Sequence, residues 1–152
     1  MQKRRLKSCY DQLDFGDKEQ QWVRIVLNRL ANCILISSWN GEDLESRIQL
    51  KNVDVDEAVS RWCYDYCLTI HNDIGNQGLR LYYDSSFYPE AGFYLLRANR
   101  IRGQVVMSRN FVEQFTEKLF KISEPVEPSQ KEKLLAQAQE LVFKAKRLGE
   151  WE

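Results

Sequence analysis

Apolar residues recur along this chain at two different periods, and the changes of period divide it into elements. After Asp17, the residues Trp22, Ile25, Val26, Arg29, Leu30 and Cys33 follow one another at steps close to three and four, the spacing of one helical face. That reading gives a helix from Asp17 to about Asn32. Cys33 to Trp39 then reads as a short buried strand, and Asn40-Gly41 as a turn. Residues 42–52 fit either a short helix or an edge strand, because Arg47, Gln49 and Lys51 alternate with Ile48 and Leu50.

Asp54, with Glu57 three residues on, resembles a capping box. It opens a helix whose face carries Val59, Trp62, Cys63, Tyr66, Cys67 and Ile70, ending near Asn72. The turn-rich segment Asn72 to Gly78 leads into a strand in which Leu79, Leu81 and Tyr83 alternate with Arg80 and Tyr82. Residues 92–107 form a hairpin. Ser108 caps a further helix with an inner stripe of Phe111, Val112, Phe115, Leu119 and Ile122. After Pro125 and Pro128, Ser129 starts a last amphipathic helix, with Gly149 as its stop.

These elements predict an α+β fold in which a small antiparallel sheet of about three strands, the 92–107 hairpin among them, packs against several helices. Residues 1–16 make a basic arm, either frayed or a short helix. Residues 17–124 form the core domain. The helix over 129–149 is expected to pack on that core because its linker is short. No internal repeat is visible.

Composition narrows the function. The 152 residues carry 22 basic and 22 acidic side chains, so the net charge is zero. Attraction to a polyanion then has to come from a local patch rather than from the whole molecule. The basic N-terminus runs into Ser8, Cys9, Tyr10 and Asp11 instead of an apolar segment, and the longest aliphatic run is Cys33 to Ile36. Neither a signal peptide nor a membrane span is expected, which points to a cytoplasmic protein without a membrane partner.

The chemistry-bearing residues are few. Cys63, Cys67 and His71 stand at steps of four and on one helix would share a face. A structural zinc site needs four ligands, however, and no second pair is supplied. The expectation is buried thiols and no metal or cofactor. No nucleotide-binding, nucleophile-elbow or metalloprotease motif is present, so the protein is expected to act without catalysis.

The strongest positive signal is the hairpin. Ala91 to Val112 holds four arginines and no acidic residue. If Arg97 lies opposite Arg102, then Tyr94, Leu96, Ala98, Ile101, Gly103, Val105 and Met107 share an apolar face. Phe93, Leu95, Arg97, Arg100, Arg102, Gln104 and Val106 then share the other. Like charges opposed across a ribbon are destabilising unless something offsets them. The expectation is a subunit or adaptor that docks this face, with Arg109, on an acidic protein surface in a larger assembly. The alternative is an RNA-binding module or ribonucleoprotein component using the same face, with Arg80 and Tyr82 joining it and Lys3, Arg4 and Arg5 as further phosphate contacts. Single-stranded or structured RNA would be the ligand. The aromatic stretch Tyr82, Tyr83, Phe87, Tyr88, Phe93 and Tyr94 is a second candidate surface.

Overall fold

Alternation, not the helical step, governs the first third of the chain. The computed structural model describes residues 2–65, 68–82, 91–127 and 130–150. Strands β1 (Arg4–Leu6), β2 (Tyr10–Gly16), β3 (Gln21–Asn28), β4 (Cys33–Asn40) and β5 (Asp43–Lys51) precede the first helix, α1 (Val55–Tyr64). The helix expected after Asp17 is therefore a strand, and the expected arm contributes two more. Val23, Ile25 and Leu27 are buried at every second position and pair with Phe15, Leu13 and Asp11 on β2. The same stretch also fits a three-and-four spacing through Trp22, Ile25 and Val26, but pairing with β2 and β4 makes it a strand, with turns at both ends. Gln20 N donates to Asp17 O at one end, and Asn32 takes a φ of 49° at the other. The ambiguous segment after Asn40 is also a strand, its partner Asp43 lying opposite Asn40.

Strands β2 to β5 form an antiparallel meander in sequence order, closed by α1. Asp54 caps α1 through its carboxylate, which accepts from Glu57 N at 3.1 Å. The helix ends at Tyr64, well before Asn72, because Thr69–His71 forms β6 and pairs with β7 (Gly78–Tyr82). Strands β8 (Gly92–Arg97) and β9 (Arg100–Val106) complete a second meander, ordered β6-β7-β8-β9. Helix α2 (Arg109–Ile122), capped by Ser108 onto Phe111 N, follows it. Four meandering strands and a helix thus occur twice in succession, a repetition of topology that the sequence does not display. A short strand β10 (Ser123–Pro125) returns to pair with β1, and α3 (Gln130–Glu150) ends the chain.

Among the described residues the architecture is three antiparallel sheets of two, four and four strands with three helices. This replaces the expected single three-stranded sheet surrounded by helices. The inner face of each meander and the two helices α1 and α2 enclose one core. Ile25, Ile34, Ile36 and Leu50 come from the first sheet, Leu79, Leu81 and Phe93 from the second, and Trp62 and Phe115 from the helices. Side chains of this size contribute about 1.5–3 kcal/mol each on full burial. The two sheets approach closely where β9 meets β5. A Cβ on Gly103 would lie 2.7 Å from Ile48 Cγ2, so only a residue without one fits there unshifted.

Helix α3 departs from expectation in a different way. Every described side chain from 131 to 147 is exposed, so its apolar stripe is not laid on the core. The helix also runs through Gly149 rather than stopping at it; Ser129, its expected cap, lies outside the described residues. No helix among the described residues is long and apolar enough to cross a membrane.

Candidate interaction surface

The β8–β9 hairpin closes through Ala98 and Asn99, at φ of 51° and 60°. Two successive left-handed residues make the tight turn that matches strand twist. Arg97 and Arg100 are consequently direct register partners, and Arg102 is not opposite Arg97. A bulge sets Leu95 against Gly103 and Leu96 against Ile101, leaving Arg102 as the extra residue. Because of that shift the predicted faces do not survive. Phe93 pairs with Val105 and with Leu81 on the core side, whereas Ile101 of the supposed apolar face is exposed.

Arg97, Arg100 and Arg102 are all exposed and form no ion pair among the described residues. They make a local cationic tip. The other residues expected beside them are elsewhere. Phe93 is fully buried, edge-on to Trp62 and Phe115 with ring centroids 5.4 Å away in each case. Arg109 begins α2 past the far end of β9, which at the usual strand rise is about 20 Å from the tip. Gln104 is exposed and its carbonyl accepts from the Ser46 hydroxyl of β5. Arg80 lies over the ring of buried Tyr82 at 5.4 Å, on the sheet face opposite Phe93.

The N-terminal basic residues divide by role. Arg4 is buried: its Nε donates to Ser123 Oγ at 2.9 Å, and its Nη2 to the carbonyls of Ser123 at 3.0 Å and Phe120 at 3.2 Å. Its guanidinium also sits 4.8 Å above the Phe120 ring. Arg4 therefore fastens β1 to α2 and β10 and is not presented to a ligand. Arg5 pairs with Glu124 at 3.0 Å, and Lys3 is exposed.

The metal candidate loses its geometry. Cys63 is in the last turn of α1 and His71 is in β6, so no helix carries both. Burial pushes the Cys63 thiol up, with Arg4 and Ser123 acting weakly the other way, and the protonated thiol behaves as a small apolar group. Cys67 lies outside the described residues, as do Tyr83, Phe87 and Tyr88 of the aromatic candidate. No cluster of three or more metal-ligating side chains occurs among the described residues.

Comparison with protein-family models, with curated proteins and with solved structures finds no match for this chain.

The surface that sequence reasoning assigned to the core is the stripe of α3. Leu134, Ala138, Leu141 and Ala145 recur at alternating steps of four and three, with Leu135 and Val142 alongside. Leu134 is 55% exposed, Leu141 66% and Val142 57%. Helical geometry puts Lys133 and Lys144 on one flank of this stripe and Lys146 on the other, with Glu132 and Glu140 behind. The signal was present in the spacing. What the spacing did not reveal was whether the stripe faces this chain or another.

Proposed function

We propose that this protein acts by binding rather than by catalysis, as a docking subunit that presents α3 to an acid-rimmed apolar groove on a partner protein. The observation that carries the reading is the uncovered stripe of Leu134, Leu135, Leu141 and Val142 on a helix of 21 residues. Contiguous apolar patches on soluble proteins usually mark sites of interaction, and an amphipathic helix laid in a groove is a recurrent mode of recognition. Charge specifies the partner further. From Lys131 to Arg147 the helix carries five basic residues against two acidic ones, so an acidic rim complements it and a second copy of α3 does not. The arginine tip of the hairpin asks for the same sign of partner and adds to association rate more than to affinity. Burial of Phe93 and Tyr82 removes the stacking rings on which a single-stranded RNA reading of that hairpin rested.

The test uses the whole chain with Leu134→Asp and Leu141→Asp introduced together, beside Glu140→Gln on the opposite face. Affinity purification from the native cell should yield one protein at fixed stoichiometry with the parent and with Glu140→Gln, and lose it with the double variant. The double variant should melt at the parent's temperature, since neither leucine supports the core. A marked fall in melting temperature would mean that α3 packs on its own chain. Equal recovery of the partner by all three proteins would remove α3 from the interface. Either result ends the proposal.

A further inference from the structure

The first meander has an open edge at β2, and its hydrogen-bonding phase can be read from two bonds at the sheet margins. Arg29 N donates to Cys9 O at 2.9 Å, and Gly41 N donates to Gln20 O at 2.7 Å. In an antiparallel ladder the residues of one strand turn their backbone groups alternately to either side. The even residues of β3 therefore bond to β4 and the odd ones to β2. With the register pairing Asp11 to Leu27 and Leu13 to Ile25, the odd residues of β2 face β3. The N–H and C=O groups of Tyr10, Gln12 and Asp14 point outward, and they bond to no other segment among the described residues.

This edge is flanked by one face of α2. A cleft of about 360 Å³ lies between them, lined by Gln12 to Phe15 on the strand and by Gln114, Glu117, Lys118 and Lys121 on the helix. The helix positions are i, i+3, i+4 and i+7, a single stripe of α2. Contact of Phe15 with Phe115, ring centroids 6.2 Å apart, sets the strand beside the helix. A free strand edge beside a helix face is an arrangement that accepts an added strand: backbone bonds hold it, and alternate side chains meet the helix.

The charges around the cleft select the occupant. Asp14 is occupied by Lys18 at 2.9 Å and by Arg24 at 2.9 Å. Glu117 is matched by Lys121 at 3.5 Å, and Lys118 has no ion-pair partner among the described residues. We infer that the β2 edge binds an extended, acidic segment of another protein as a fifth, antiparallel strand, with carboxylates at alternate positions on its helix-facing side and one of them opposite Lys118. This surface is distinct from α3 and stands or falls separately.

The probe is a synthetic nonapeptide alternating threonine and glutamate, titrated into the whole protein and followed through backbone amide resonances. Binding should shift and protect the amides of Gln12 and Asp14 from exchange while leaving those of Asp11 and Leu13 at their native protection. In an antiparallel addition, residues bonded to β2 share the outer face with Gln12, so they are the threonines. N-methylation of the threonines should weaken binding at least about tenfold, and N-methylation of the glutamates should not. Gln12→Pro removes one outward N–H without touching the β2–β3 ladder and should weaken binding to a similar degree, as should Lys118→Glu. Absence of any shift at Gln12 and Asp14, or equal binding by both methylated peptides, would overturn the inference. So would a concentration-dependent dimer abolished by Gln12→Pro, which would assign the edge to a second copy of the chain.

Discussion

Truncating Phe93 to alanine tests whether this ring belongs to the core or to a surface. Phe93 is fully buried and touches Trp62 and Phe115, both fully buried, while its register partners Leu81 and Val105 are also inaccessible. The neighbours are rigid elements from two helices and two strands, so the hole left behind cannot collapse readily. Removing a phenylalanine under those conditions costs about 4 kcal/mol, the upper part of the range for large-to-small changes. The lost edge-to-face contacts are included in that figure. For a chain of this length the fall in melting temperature is about 12 °C. With a urea dependence near 2 kcal/mol per molar, the unfolding midpoint drops by about 2 M. Equilibrium urea unfolding followed by tryptophan fluorescence measures this, with Arg97→Ala, Arg100→Ala and Arg102→Ala as companions. Those three exposed sites should each stay within about 0.5 kcal/mol of the parent. A Phe93→Ala midpoint indistinguishable from the parent's would refute the packing argument and return the ring to the hairpin surface.

Other outcomes follow from the same contacts. Arg4→Ala removes three hydrogen bonds and the contact with Phe120 from a buried site, and should destabilise by about 2–4 kcal/mol; Arg4→Lys should recover only part of this because it lacks the planar fork. Ala98→Gly relieves a left-handed alanine in the hairpin turn and should raise stability by up to about 1 kcal/mol in the same unfolding assay. Asp11 and Asp14 should respond to pH with opposite signs. Burial raises the Asp11 carboxyl above 3.8, so its ionisation costs folded-state stability at neutral pH and Asp11→Asn should raise the melting temperature there. Burial also acts to raise Asp14, but Arg24 and Lys18 outweigh it and hold that carboxyl below 3.8. Its contribution is present above the unfolded value and disappears as pH falls through the lowered one, so Asp14→Asn should lower the melting temperature at neutral pH. The Asp11 difference should fade as pH drops below the unfolded carboxylate value of about 3.9, and the Asp14 difference only once pH has dropped below that group's lowered value.

How much of this was legible in the sequence depended on how local the determining contact was. Asp54 and Ser108 bond to backbone groups three residues ahead, so both helix starts could be read directly. Strands β4 and β7 announced themselves by an apolar run and by alternation. Residues 22 to 33 satisfied two periods at once: Trp22, Ile25 and Val26 fit a helix, and Val23, Ile25 and Leu27 fit a strand. Only pairing with Phe15 and Ile36, made by other segments, resolves the conflict. The hairpin was recognised but its faces were not, since one bulged residue at Arg102 shifts the register. Strands β1 and β10, three residues each, carry no periodicity at all. For the candidate surfaces, charge at the hairpin tip was visible in the sequence. The open edge of β2 was not, because it depends on which strand ends a sheet.

The pairing of β1 with β10 has a consequence for how the molecule is made. Arg4 finds Ser123 across a separation of 119 residues, whereas each meander is built from neighbouring hairpins. During synthesis the first meander can assemble as soon as it emerges. Strand β1 can dock on α1 through Ser60 and Asp56 once that helix has emerged, but the Arg4 guanidinium must wait for residues 120 and 123. Until then the Arg4 guanidinium lacks its acceptors. A ribosome stalled before residue 120 would hold a nascent chain with a formed first meander and a buried-to-be guanidinium still without its acceptors, a species open to chaperones and proteases.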